Sequence, residues 1–195
     1  MKKIVLASSS PYRAELLARV LPTFTVDAPE ADERAREGES PRNLAARLAL
    51  LKARTVAPRH PQALVIGSDQ VAAVRDRIYG KPGQVEVAAR TLREASGEEM
   101  VFHTAVAVID TQTGRTAEAL ESVRARFRTL TEAEIEAYLR LDSPLDCAGA
   151  IRTESRGSLL LEALDGRDPT TMVGLPLIAV AELLRGFGVD PLSEA

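Results

Sequence analysis

The chain predicts a mixed-sheet α/β fold built as one domain over residues 1–195, and three observations carry that expectation. Short apolar runs at residues 4–6 and 63–74 are separated by helical patterns, as strands joined by crossovers are. Two longer stretches, 101–109 and 117–129, face each other across Thr111-Gln-Thr-Gly114, which reads as an antiparallel hairpin. No internal repeat, low-complexity tract or long linker divides the sequence.

Taken in order, Ile4, Val5 and Leu6 form a strand that runs into Ala-Ser-Ser-Ser-Pro-Tyr-Arg13, where Pro11 suits a first helical position. Residues 14–20 continue the helix, so free backbone N–H groups and the positive end of the helix dipole lie beside Ser8, Ser9, Ser10 and Arg13. Such a junction can hold phosphate, although serine caps also occur with no ligand. The charged run 30–39 has no apolar periodicity and reads as an exposed loop. Ser40-Pro41 then opens a helix with Leu44, Leu48 and Leu51 as its buried stripe and Lys52 next to it.

The apolar run 63–74 is interrupted by a polar island, Gly67, Ser68, Asp69 and Gln70, where a buried strand is normally hydrophobic. Gly80-Lys-Pro-Gly83 makes a turn that holds the Lys81 cation with little freedom. A helix over 85–96 follows, and after the hairpin, with arginines on the outer face of its second strand, Thr131-Glu-Ala-Glu134 forms a capping box for a helix to about Leu141. A glycine-bearing loop at 146–149, an apolar segment at 159–164 and a last helix entered through Gly174-Leu-Pro176 complete the chain.

Composition narrows the function. A net charge of −3 gives no field for general binding of nucleic acid, so any polyanion site is local and suits a small phosphorylated ligand. The single cysteine, Cys147, excludes an intrachain disulfide, fits a reducing cytoplasm and reads as a buried thiol. No stretch reaches the roughly 18 to 20 apolar residues of a membrane helix, and the start does not read as a signal peptide. His60 and His103 are far apart, with no zinc spacing.

A carboxylate inside a buried run, as at Asp69, faces either a partner or a cleft, because burying it alone costs several kcal/mol. Lys81 supplies a cation suited to a phosphate oxygen. Neither the Gly-x-x-x-x-Gly-Lys-Ser/Thr loop, the Gly-x-Gly-x-x-Gly turn nor the Gly-x-Ser-x-Gly elbow occurs. Carboxylates and cations without a nucleophile point to metal-assisted attack by water.

With these residues assembled, the chain resembles the Maf family of nucleoside triphosphate pyrophosphatases along nearly its whole length. Four blocks carry the resemblance: Leu6-Ala-Ser-Ser-Ser-Pro-Tyr-Arg-Ala-Glu-Leu-Leu17, Val65-Ile-Gly-Ser-Asp-Gln-Val71 with Gly80-Lys-Pro82, Asp146-Cys-Ala-Gly149 with Glu154, and Val173-Gly-Leu-Pro-Leu177. It implies an inosine triphosphatase-like α/β fold whose twisted mixed sheet and flanking helices form two lobes around a cleft. It also implies a divalent cation (Mg, Mn or Co) and cleavage between the α and β phosphates. Carried over, Ser8 and Arg13 bind substrate, while Glu33, Lys52, Asp69 and Lys81 are catalytic. Glu33 and Asp69 hold the metal, and Asp69 accepts a proton.

Tyr12, Gln70 and Glu154, with Asp165-Gly-Arg-Asp-Pro169, resemble the branch that prefers 7-methyl-GTP rather than dTTP and UTP. The chemistry is coherent: N7-methylation makes guanine a cation, which an aromatic face attracts and a carboxylate complements. Gln70 offers both donor and acceptor to the base or its surroundings. The resemblance leaves two alternatives, a dTTP/UTP pyrophosphatase and a nucleotide-binding regulator of septum formation with little turnover. A homodimer is expected, with no stable nucleic-acid or membrane partner.

Overall fold

The computed structural model describes residues 2–193. Its strands are β1 (Lys3–Ala7), β2 (Thr25–Val26), β3 (Ala63–Val74), β4 (Arg77–Tyr79), β5 (Glu99–Asp110), β6 (Thr116–Phe127) and β7 (Leu161–Asp165). The helices are α1 (Pro11–Ala18), α2 (Pro41–Val56), α3 (Val85–Ala95), α4 (Glu132–Asp142) and α5 (Leu177–Gly186). Short 3-10 turns cover Ala148–Ala150, Arg156–Leu160 and Pro169–Val173. The strands form one seven-stranded sheet in the order β2-β1-β3-β5-β6-β7, with β4 also on β3.

The mixed character is concentrated on β3. Its first half pairs parallel to β1, from Lys3 opposite Ala63 to Ala7 opposite Gly67, and its last three residues pair antiparallel to β4, starting at Ala72 opposite Tyr79. Residues 68–71 therefore have no strand partner on that edge, while β5 pairs along the other edge from Leu64 to Val74. Ligands of open α/β sheets gather where strand connections diverge in this way.

Side-chain alternation along β3 sends Val65, Asp69 and Val71 to one face and Leu64, Ile66, Ser68 and Gln70 to the other. On the first face α2 packs with Leu44, Ala45, Leu48, Ala49, Ala53 and Val56. This helix comes unusually close because its contact face is rich in alanine and meets a glycine. A Cβ on Gly67 would lie 2.2 Å from the Ala49 carbonyl oxygen and 2.6 Å from the Ala53 nitrogen.

The opposite face carries two apolar clusters. One gathers Leu6, Leu16, Leu17, Ile66, Val106 and Leu184 under α1 and α5, and the other gathers Leu92, Met100, Phe102, Phe127, Ile135 and Tyr138 under α3 and α4. Between them runs a buried polar seam. Ser68 Oγ shares its one proton between the Ala105 and Gly174 carbonyls, and Gln70 Nε2 donates to Thr104 Oγ1 and to the Thr171 carbonyl. The polar island thus serves both faces: Gly67 admits α2, whereas Ser68 and Gln70 tie down the segment 168–174.

Most expected elements appear, with shifted ends. The first helix begins at Pro11 and stops at Ala18, and β6 ends at Phe127. The buried stripe of α2 includes Lys52 itself, and Leu51 is only half-buried. The apolar segment 159–164 is a tight turn that leads into the edge strand β7. Asp168 accepts hydrogen bonds from Thr170 and from the Ile178 backbone N–H, so the Asp165-Gly-Arg-Asp-Pro169 block anchors α5 rather than lining a site.

Candidate active site

A cleft of about 340 Å³ opens at the unpaired edge of β3. Ser8, Tyr12, Arg13, Glu33, Lys52, Asp69, Gln70, Lys81 and Glu154 all line it, brought together from segments that are distant in sequence.

One wall of the cleft begins where β1 meets α1. Ser10 caps α1 by accepting the Arg13 backbone N–H, and Ser8 Oγ accepts the Ser10 N–H at 3.1 Å. The Ser8 hydroxyl proton is left to donate into the cleft. Arg13 Nε donates to the Gly174 carbonyl at 2.8 Å, which aims the remaining guanidinium N–H groups. Burial draws the Arg13 pKa below its usual value, and the Asp69 and Glu33 charges draw it back up. Lys81 is exposed and forms no ion pair among the described residues. Its turn is tethered through Gly83 N–H to the Leu145 carbonyl and through the Gly80 carbonyl to Gly149 N–H.

At the centre, α2 and β3 bring charges together. Lys52 Nζ donates to Asp69 Oδ1 at 2.5 Å and to Glu33 Oε2 at 2.9 Å. Lys52 and Asp69 are 5% and 6% exposed, so this part of the pair is shielded from water, whereas the Glu33 side chain is 52% exposed. The Glu33 loop is held in turn by Arg47, which bonds both carboxylate oxygens of Glu39 and the Arg34 carbonyl. Arg47 carried no signal in the sequence beyond being one more charge on a helix.

A further wall is shaped by Tyr12 of α1, Gln70 of β3 and the loop after α4. Tyr12 Oη donates to Asp146 at 3.3 Å, and burial, reinforced by that bond, pushes its pKa up to about 12. Glu154 sits on a loop fixed from below, because Asp142 accepts from Ser155 Oγ and Arg156 N–H, and Tyr138 Oη accepts the Arg152 N–H. Gln70 lines the cleft, but its amide nitrogen is committed to Thr104 and the Thr171 and Met172 carbonyls. Cys147, expected to be buried, is half-buried and lines the cleft; burial first and Asp146 second raise its pKa to about 12.

Among the described residues no three His, Cys, Asp or Glu side chains form a metal-binding group. Of the carboxylates that line the cleft, Glu33 and Asp69 lie together, and the Lys52 ammonium already reaches both. Two carboxylates do not enclose an ion. They do fit a hard divalent cation that keeps waters and shares ligands with substrate phosphates.

This fold and site define a known class: residues 3–187 match the Maf-like protein family model, and the chain belongs to that family. Among curated proteins it is 47% identical over 191 residues to the 7-methyl-GTP pyrophosphatase of Albidiferax ferrireducens, covering 98% of this chain and 96% of that one. It is 50% identical to the protein of the same name from a Polaromonas species, covering 96% and 86% of the two chains. The Bordetella pertussis protein of that name is 48% identical over 98% of this chain and 95% of its own. Among solved structures, the Staphylococcus aureus Ham1 protein superposes with a TM-score of 0.55 at 14% identity, covering 95% of this chain and 100% of that one, a likeness of fold alone.

Proposed function

We propose that this protein is a nucleoside triphosphate pyrophosphatase that hydrolyses 7-methyl-GTP to 7-methyl-GMP and pyrophosphate. The observation that carries the reading is the cleft itself, which gathers Arg13, Lys52 and Lys81, the carboxylates Glu33 and Asp69, and Tyr12 with Glu154 around one space. The names of the relatives point the same way.

The chemistry follows from the placement. The Ser8 hydroxyl, the free N–H groups of Arg13 and the Lys81 ammonium grip the phosphate chain and offset the charge that builds on its oxygens. Well-placed donors of this kind typically contribute about 3 kcal/mol each. Glu33 and Asp69 would hold a divalent cation together with phosphate oxygens, and such an ion polarises the phosphoryl group and makes bound water more acidic. Asp69 takes the proton of the attacking water, and Lys52 keeps that buried carboxylate in place. Tyr12 and Glu154 receive the base, one through its ring face and the other through its charge. Gln70 contributes by holding residues 171 and 172 against the cleft. A homodimer and a cytoplasmic setting complete the reading on the family resemblance; light scattering and cell fractionation check them.

A panel of triphosphates assayed for released pyrophosphate with Mg, Mn or Co is the test. The reading requires 7-methyl-GTP to give the highest kcat/KM. A pyrimidine triphosphate at the top would replace the base assignment, and tight binding without pyrophosphate release would replace catalysis by sensing.

A further inference from the structure

Arg152 lies between the two residues that receive the base in this reading. Its guanidinium carbon is 5.5 Å from the centroid of the Tyr12 ring, and its Nε is 3.6 Å from Glu154 Oε1. That Nε is buried and has no hydrogen-bond partner among the described residues, so the guanidinium is held beside Tyr12 and Glu154 by charge and packing alone. An unpaired buried donor costs free energy, so the side chain is held here less firmly than a fully bonded one would be.

The guanidinium is a planar, delocalised cation whose edge carries N–H donors. An N7-methylated guanine is also a planar, delocalised cation with N–H donors along one edge. Both therefore suit the same pair of partners, an aromatic face and a carboxylate. From this juxtaposition, and resting on the base assignment above, we infer that Arg152 is a built-in stand-in for the cationic base, covering Tyr12 and Glu154 until substrate displaces it. The exchange replaces one cation by another, so Glu154 is never left alone. Each binding event also has to break the arginine's own contacts, which lowers apparent affinity in proportion to how well the arginine is seated.

The loop does not depend on the side chain that is exchanged. Its anchors are the Arg152 backbone N–H to Tyr138, the Arg152 carbonyl from Gly157 N–H, and Asp142 to Ser155 and Arg156. Removing the guanidinium therefore leaves Glu154 where it is.

The test compares wild type with Arg152→Ala and Arg152→Met, the latter keeping an apolar stem, in steady-state hydrolysis of 7-methyl-GTP and in calorimetric binding of 7-methyl-GMP. In both variants KM and the product Kd fall about fivefold to tenfold, the factor set by one cation–π contact and one half-exposed ion pair, with kcat moved far less. Guanidinium chloride at about 0.1 M raises KM part of the way back toward the wild-type value in Arg152→Ala, while tetramethylammonium chloride at equal ionic strength does not. Unchanged or raised KM in both folded variants, with the wild-type preference for 7-methyl-GTP intact, overturns this inference alone. A wild-type panel without that preference overturns the base assignment and this inference with it.

Discussion

Replacing Lys52 by methionine strips the ammonium from Asp69 and leaves a carboxylate that is 6% exposed without its nearest cation. At 2.5 Å the gross attraction in an effective dielectric of about 20 is about 7 kcal/mol, but most of it offsets desolvation of the two ions. Breaking a buried pair typically costs about 3 to 5 kcal/mol, and Arg13, whose charge also interacts with Asp69, pulls the expectation to the lower end. Asp69→Asn alone costs less, about 1 to 2 kcal/mol, because Lys52 keeps Glu33 as a partner. The double variant removes both charges and should cost about 1 to 2 kcal/mol, giving a coupling of about 3 kcal/mol. Urea unfolding followed by far-ultraviolet circular dichroism measures the cycle. Costs that add to within about 0.5 kcal/mol would refute the claim that the two groups act as one buried unit.

Three further outcomes follow from the same geometry. Gly67→Ala forces α2 off the sheet, since the nearest obstacles are helix backbone atoms rather than a flexible side chain; a loss of more than about 3 kcal/mol in urea unfolding is expected, and a mild effect would show that α2 can retreat. Arg47 holds the Glu39 pKa near 2, below its ordinary 4.5, so this pair stabilises the fold above pH 4.5 and the contribution fades as pH falls toward 2. The stability gap between wild type and Glu39→Gln, about 1 kcal/mol for a partly buried pair at the protein surface, should shrink with acid, and a pH-independent gap would count against it. Magnesium alone should bind weakly, because Lys52 already engages both carboxylates, and much more tightly beside a non-hydrolysable 7-methyl-GTP analogue; calorimetric affinities that ignore the nucleotide would contradict the shared-ligand assignment.

Much of this was legible in the chain, and what was not has identifiable causes. Strands and helices announced themselves through apolar period, the Thr131 box and the proline at the start of α1, because those signals are local. The polar island in β3 drew attention for the right reason, a carboxylate where a hydrophobe belongs. Glu33 was invisible without the family resemblance, since a side chain in a charged loop acquires meaning only when Lys52 folds against it. Lys52 sat beside the expected stripe rather than on it, because α2 turns its alanines, not Leu51, toward Gly67. Arg47, Asp142 and Arg152 escaped altogether. Their work is to hold or cover other residues, and contacts spanning distant segments leave no mark on composition or spacing.

The four residues of β3 without a neighbour on one edge fix the aperture of the cleft by counting. Hydrogen-bond register on either flank sets the span from Gly67 to Ala72 at roughly 16 Å, five steps of about 3.3 Å, and an inserted residue would swap the faces of Asp69 and Gln70. Side-chain replacements at the rim leave that frame untouched. On the proposed assignment, point changes at positions 12 and 154 would retune which nucleotide is admitted, while Glu33, Lys52 and Asp69 keep their spacing behind them.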